Sequence, residues 1–388
     1  MTLPLLLAAL LLAPPAQARR VPTSVTPAMD ALLRQGLDAL YRMDFDGAQA
    51  ANEKAIALDP AYPHPRLGRA AIDLVRFSYG SEQSDPAPLA DFSKHIEDTV
   101  SVSEAWLKAH PGDPDALLIL GAAHGITGRM AITRHQWLEG FRHGRAAMKS
   151  IRLALKLDPE MHDAQLGLGM FDYYVDTIPR FAGWLAKLML GGSRERGLRE
   201  IRIAAEKGDY ARTAARLILV EIYTEDDFGA ADPKEGLRLM TGIHDQYPDS
   251  PMFLSAYAVV LYEAGRTDDA LRAARDYAAR LAAGRIPAGY GAKGRALVGT
   301  MLWVKGDKEA ALAEFRAGAD DSASFQKWRT LCRARVGQVE DALGRRAEAL
   351  EAYRAVADAP DEWDYRAWVK PCLAKPCVGA RFPGHFSP

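Results

Sequence analysis

The chain has 388 residues, of which 48% are hydrophobic and 26% are charged, the composition of an ordinary folded protein. Its 49 basic and 50 acidic residues leave a formal net charge of -1. This balance excludes the global attraction to nucleic acid or acidic lipid that a strongly basic chain would have, so no nucleic-acid partner is expected.

The first 18 residues predict a secretory signal peptide. Apolar residues 3–12 precede Ala16-Gln17-Ala18, a small-residue cleavage site. The apolar run is shorter than the roughly 20 residues that a membrane span needs, although an uncleaved anchor stays an alternative. We expect cleavage near Ala18, a linker over 19–27, and a periplasmic or secreted mature protein.

Residues 28–360 are predicted to form helical hairpins of the tetratricopeptide type. Strand patterns are nearly absent, and a small residue is followed 12 and 16 positions later by two further signature residues. The small residues let two antiparallel helices approach closely. The sets are Gly36, Ala48 and Asn52; Ala258, Ala270 and Ala274; Gly299, Ala311 and Phe315; and Gly337, Ala349 and Tyr353. The sequence therefore predicts an all-α fold, an irregular α-solenoid.

Two hairpins in the first half are predicted to be enlarged. Gly121 finds its small partner at Ala147, 26 residues on instead of 12. The additional residues amount to about four turns, shared between the two helices. We therefore predict one long hairpin over 113–159, and another from helices at about 62–79 and 87–109 joined by the loop 80–88.

Residues 178–192 contain an apolar stripe at helical spacing. Its members lie on one helical face: Phe181, Trp184, Leu185, Leu188 and Met189. The favoured interpretation is a helix that buries this face against the solenoid. The alternative is an exposed stripe that docks on a partner or a membrane surface.

The order of motifs through the centre of the chain resembles a known family. The segment LGLGMFDYY at 166–174 leads to Ile178-Pro179, the apolar stripe, GGSRERGL at 191–198 and LILVEIY at 217–223. Over about residues 113–280 this order is similar to the tetratricopeptide proteins of the Iml2/TTC39 type and their exported bacterial relatives. The resemblance implies an α-solenoid of expanded repeats and supplies no catalytic residues.

No pattern for catalysis or metal binding is found in the sequence. His135 and His143 would lie about 12 Å apart along one helix, too far to share a metal ion. Zinc-binding motifs, phosphate-binding glycine loops and nucleophile elbows are absent. We predict a non-catalytic protein without metal or cofactor, and a hydrolase or metal enzyme is the least favoured alternative.

A concave surface of the solenoid is the predicted binding site for a protein or peptide. Asn52 is the only asparagine and belongs to a second helix, so an asparagine-based clamp for a terminal carboxylate is not expected. Consensus geometry instead places six first-helix residues on the concave side: Tyr262, Lys293, Thr300, Trp303, Gln338 and Asp341. Helix packing is the alternative role for Trp303 and Tyr262. The leading hypothesis is an exported scaffold for protein–protein interaction in the cell envelope.

The tail, residues 361–388, is predicted to cover the last repeat. Cys372 and Cys377 occur in two Lys-Pro-Cys units, and an oxidising compartment would allow a disulfide between them, with two free thiols as the alternative. Four aromatic side chains could pack on the exposed apolar end of the solenoid or dock on a partner: Trp363, Trp368, Phe382 and Phe386.

Overall fold

The computed structural model describes residues 24–133, 136–177, 192–225, 230–360 and 364–379. Within these residues the chain forms seventeen α-helices and no strand. The helices are α1 (Pro27–Tyr41), α2 (Phe45–Leu58), α3 (His64–Val75), α4 (Ala87–Ala109), α5 (Pro114–Thr133), α6 (Trp137–Leu157), α7 (Ala164–Thr177), α8 (Arg194–Lys207), α9 (Arg212–Glu225), α10 (Pro233–Gln246), α11 (Pro251–Glu263), α12 (Thr267–Ala282), α13 (Gly291–Val304), α14 (Lys308–Asp320), α15 (Gln326–Ala342), α16 (Arg346–Ala357) and α17 (Tyr365–Ala374). A π-helical turn, Arg76–Gly80, extends α3.

Consecutive helices pack as hairpins that stack in chain order, which confirms the predicted α-solenoid. The small signature residues lie where the two helices of a hairpin cross. A Cβ atom added at Gly299 would lie 2.8 Å from Phe315 Cε1, and one added at Gly121 would lie 2.6 Å from Ile151 Cγ1. Ala147 is buried on the same helix as Ile151. The spacing of small residues therefore identified the helix crossings correctly.

The enlarged hairpins have the predicted lengths. Helices α5 and α6 occupy 114–133 and 137–157, inside the predicted hairpin at 113–159. Helix α3 with its π-helical turn covers 64–80, and α4 covers 87–109. None of the helices in the described ranges is both long and apolar enough to cross a membrane.

Turns and helix starts follow ordinary local chemistry. Gly265, Gly306 and Gly344 end first helices with φ of 73°, 92° and 77°, a left-handed conformation that glycine adopts without a steric penalty. Asp44 and Asp307 begin second helices, and their carboxylates accept hydrogen bonds from Gly47 N and Ala310 N. These turns separate the helices where the sequence pattern predicted.

The solenoid curls until its first helices meet its later hairpins. The ring of Tyr41 in α1 lies 5.5 Å from that of Tyr247 and 6.0 Å from that of Phe253, at the start of α11. The hydroxyl of Tyr210, just before α9, donates to Asp30 Oδ1 at 2.5 Å. The N-terminal hairpins therefore pack against the repeats that lie about 180–210 residues further along the chain.

Helix α17 packs against α15 and α16 at the C-terminal end of the solenoid. Its side chains Tyr365, Val369 and Cys372 are buried in the same apolar core as those two helices. The guanidinium of Arg346 donates to the carbonyl of Cys372 at 2.8 Å. Cys372 is bonded to Cys377, with a Cα–Cα distance of 5.3 Å, and the third cysteine, Cys332, is buried as a free thiol.

Truncation of the chain after Ala359 is expected to lower the free energy of unfolding by about 3 kcal/mol, or several degrees in Tm, because three buried side chains leave the core. A chain that ends at Gly379 keeps α17 and serves as the control. Thermal unfolding followed by circular dichroism measures the difference. Equal Tm values for the two truncated chains would contradict a capping role for α17.

Candidate functional site

The candidate site lies on the first helices of the last complete hairpins. Helices α11, α13 and α15 are first helices, and each contacts the next one along the solenoid. We call the side of α13 and α15 that carries Lys293 and Lys327 the inner face. It meets residues from the loop between α3 and α4, 211 positions earlier in the chain.

Lys293 and Lys327 hold one carboxylate between them. Glu82 Oε1 lies 2.8 Å from Lys293 Nζ, and Glu82 Oε2 lies 3.0 Å from Lys327 Nζ. The side chains are 5%, 13% and 1% exposed for Glu82, Lys293 and Lys327. Both ammonium groups lie over the ring of Trp328, at 5.1 and 6.0 Å from its centroid. Lys293 also lies 5.8 Å from the ring centroid of Tyr290.

We refer to Lys293, Lys327, Trp328 and Tyr290 as the lysine cradle. Burial by itself would raise the pKa of the Glu82 carboxyl, because a charged group loses solvation. The attraction of the two ammonium groups outweighs burial and holds that pKa below its ordinary value. Glu82 is therefore an anion at neutral pH. The cradle is a site for a carboxylate.

The segment that brings Glu82 to the cradle has an unusual backbone. Glu82 and Gln83 have φ of 50° and 66°, the left-handed region, which costs a non-glycine residue about 1 kcal/mol. The Tyr290 hydroxyl shares its one hydrogen between the carbonyl oxygens of Tyr79 and Gly80, the latter at 3.1 Å. The ion pairs and these hydrogen bonds hold the segment in this conformation.

The predicted groove residues occupy different environments from those expected. Thr300, Trp303, Gln338 and Asp341 are buried among the helices, and Tyr262 is half-buried against the same core. Lys293 belongs to the lysine cradle. The predicted open groove is therefore corrected, and Trp303 and Tyr262 take their alternative role in helix packing. The N-terminal hairpins and α17 cover surface that consensus geometry leaves exposed.

Two of these buried residues surround a buried cation, Arg335. Its guanidinium lies 5.8 Å from the ring centroids of both Trp303 and Trp368, and it donates to Gln338 Oε1 at 2.8 Å. Burial lowers the pKa of Arg335 to about 10. Asp341 in turn accepts from the Tyr353 hydroxyl at 3.0 Å and from Cys377 N at 2.8 Å. Trp303, Gln338 and Asp341 therefore stabilise the C-terminal core.

The apolar stripe Phe181, Trp184, Leu185, Leu188 and Met189 lies outside the described residues, as do Trp363, Phe382 and Phe386 of the tail. His135 also lies outside them. The alternative interpretations of these residues therefore stay predictions.

Two histidines meet in a way that spacing along one helix did not predict. His124 in α5 and His143 in α6 have their Nδ1 atoms 3.1 Å apart, because the two helices are antiparallel partners. Burial and then the neighbouring His143 lower the pKa of His124. Among the described residues, no group of three or more His, Cys, Asp or Glu side chains is placed to hold a metal ion.

A second polar cluster joins the N-terminal hairpin to α9. The guanidinium of Arg34 lies 4.7 Å from the ring centroid of Tyr210, and the ring centroid of His64 lies at the same distance from it. Burial lowers the pKa of His64 to about 4, so the imidazole is neutral at pH 7. The adjacent cavity measures about 10 Å³, room for about one water molecule. This cluster is a packing junction.

No pattern in the sequence singles out Glu82, Lys327 or Trp328. The loop 80–88 was predicted as a connection between two long helices, and its position fits the structure. Nothing in the spacing of the sequence relates that loop to α13 or α15, because the contact arises only when the whole solenoid has curled.

No family model and no curated protein matches this chain. Several solved structures resemble it. Yeast Tom70 has 12% identity and a TM-score of 0.41, with 89% of this chain and 88% of that chain covered. A tetratricopeptide repeat protein from Parabacteroides merdae has 14% identity, a TM-score of 0.32, and coverage of 80% and 98%.

A dimer of human IFIT1, solved with PPP-AAAA, has 13% identity and a TM-score of 0.42, with 86% of this chain and 81% of that chain covered. Identities and TM-scores are low for all three structures. The assignment to tetratricopeptide-like repeats therefore rests on the helix crossings of this chain itself.

Proposed function

We propose that the protein is an exported, non-catalytic scaffold that binds another protein in the cell envelope through its inner face. The observation that carries the proposal is the lysine cradle, in which first helices of the solenoid hold an acidic peptide segment in a non-helical conformation. Helical-repeat solenoids build extended binding surfaces from such first helices. The acidic segment in this structure is the loop of the same chain that carries Glu82.

Export and family membership belong to the same proposal. The apolar run 3–12 and the Ala16-Gln17-Ala18 site support a secreted or periplasmic protein. The motif order over 113–280 supports a relationship to exported relatives of the Iml2/TTC39 type, whose expanded hairpins would match α5 and α6.

Photo-crosslinking in the native envelope tests this function. A photo-reactive amino acid at Ser84, an exposed residue beside the cradle, is expected to give a defined protein adduct. The same group at Glu53, exposed on the second helix α2, is the matched control and is expected to give at least fivefold less of that adduct. Mass spectrometry of the recovered chain should also show a mature amino terminus at Arg19.

Two results would contradict the proposal. One is the absence of any protein adduct at Ser84 in envelope material. The other is an equal yield of the same adducts from Ser84 and Glu53, which would indicate non-specific proximity.

A further inference from the structure

The lysine cradle is built as a carboxylate site rather than as a surface ion pair. Each carboxylate oxygen of Glu82 forms an ion pair with a different lysine, and the two lysines belong to successive first helices. Two aromatic rings flank the lysines, within 5.1–6.0 Å of the Nζ atoms. All four cradle residues belong to α13, α15 or the short helix Ala288–Tyr290 that precedes α13. Helices therefore position all four side chains of the cradle.

The occupant of the cradle is held less firmly than the cradle itself. It is a loop, and the residues that follow Gln83, from Ser84 to Ala87, are exposed. Glu82 and Gln83 both adopt the left-handed conformation, at a cost in free energy. The loop is anchored by Glu82 in the cradle and by the Tyr290 hydroxyl at its start, and a short exposed loop of this kind opens more readily than packed helices do.

We propose that the lysine cradle binds an acidic turn of the partner protein, and that residues 81–86 occupy the same site in the unbound chain. The proposal rests on the function proposed above and adds the chemical class of the ligand. A partner segment with a Glu or Asp side chain would take the position of Glu82. The partner must therefore displace residues 81–86, which belong to the same chain as the cradle.

Tethering explains why the unbound site is closed. A loop attached at both ends presents Glu82 to the lysines at an effective concentration in the millimolar range. A free acidic peptide at micromolar concentration competes poorly with it. Removal of the Glu82 charge should therefore make the lysine cradle accessible to a free acidic peptide.

The test measures binding of a fluorescent synthetic peptide with the sequence of residues 77–88 to the full mature chain. We expect the Glu82→Gln chain to bind this peptide at least tenfold more tightly than the wild-type chain. The Glu82→Asp chain keeps the charge with a shorter side chain, and its affinity is expected to fall between the two. A peptide with Gln in place of the Glu82 equivalent is the matched control and should not bind.

A second receptor variant assigns the binding to the cradle. Adding Lys293→Met and Lys327→Met to the Glu82→Gln chain should abolish binding of the peptide. Circular dichroism of each variant verifies its helix content, and a rise in Tm of the Glu82→Gln chain on addition of peptide gives an independent measure of binding.

The proposal would be overturned if folded wild-type, Glu82→Asp and Glu82→Gln chains all bind the peptide equally, or not at all. It would also be overturned if binding survives the loss of both lysines. Either result would leave the Ser84 crosslinking test of the scaffold function unaffected, since that test does not depend on the acidity of the partner. Glu82 would then serve only to brace the closed solenoid.

Discussion

Replacing Gly337 by Val is expected to lower the free energy of unfolding of the C-terminal repeats by about 3 kcal/mol. Gly337 lies at the crossing of α15 and α16, where a Cβ atom would lie 2.7 Å from Tyr353 Cδ1. The ring cannot move aside, because Tyr353 is fully buried and its hydroxyl donates to Asp341. The two helices must therefore separate, and the core around them loses contacts.

Gly242 provides the matched control for this substitution. It lies in α10 and is exposed, and a Cβ atom there would meet nothing within 4 Å. Gly242→Val is expected to change stability by less than about 0.5 kcal/mol, since helix propensity is the main difference. Urea unfolding followed by circular dichroism measures both variants. Equal stability of the two would contradict the crossing geometry derived for the repeats.

The hairpins could be predicted from the sequence because the information that specifies them is local. Gly299 meets Phe315 sixteen residues later, within one hairpin, and the same spacing recurs at Gly337 and Tyr353. The stretched spacing from Gly121 to Ala147 gave the length of α5 and α6 for the same reason. The spacing of small residues within one hairpin therefore predicts where its two helices cross.

The inner face could not be predicted, because it depends on how much each hairpin rotates relative to the one before. Glu82 and Lys293 are 211 residues apart, and their contact needs the summed curvature of the intervening hairpins. The prediction of an open groove is wrong at Gln338 for a related reason, and Trp303 takes its alternative role in helix packing. Consensus geometry describes an open array, whereas here a buried arginine and α17 fill the space beside them.

The histidine pair illustrates the same limit on a smaller scale. The sequence spacing compared His143 with His135, which lies outside the described residues. The contact between His124 and His143 crosses the hairpin, and its register depends on where the turn between α5 and α6 falls.

Replacing Lys327 by Met is expected to destabilise the chain by about 3 kcal/mol, because breaking a buried ion pair leaves part of the carboxylate charge uncompensated. Lys327 is 1% exposed, and the volume of Met is similar to that of Lys.

The Glu82→Gln variant should also be destabilised, because it removes the carboxylate that pairs with the ammonium groups of Lys293 and Lys327. The pKa of Glu82 is depressed in the folded chain, so its contribution is present above the ordinary glutamate pKa and is lost as the pH falls through the folded value.

An exposed ion pair gives the reference for this effect. Asp38 in α1 and Arg42, which directly follows α1, lie 2.8 Å apart, with side chains 48% and 51% exposed. The attraction between these two side chains should contribute less than about 1 kcal/mol, since solvent screens the pair.

The most direct test of the closed inner face is a double-mutant cycle between Glu82 and Lys327, measured by urea unfolding. We expect Glu82→Gln and Lys327→Met to be strongly non-additive, with a coupling free energy of about 1–3 kcal/mol. The cycle between Asp38 and Arg42 should give about 0.5 kcal/mol or less. Additive effects of Glu82→Gln and Lys327→Met, in variants that retain the wild-type helix content, would contradict the contact that closes the solenoid.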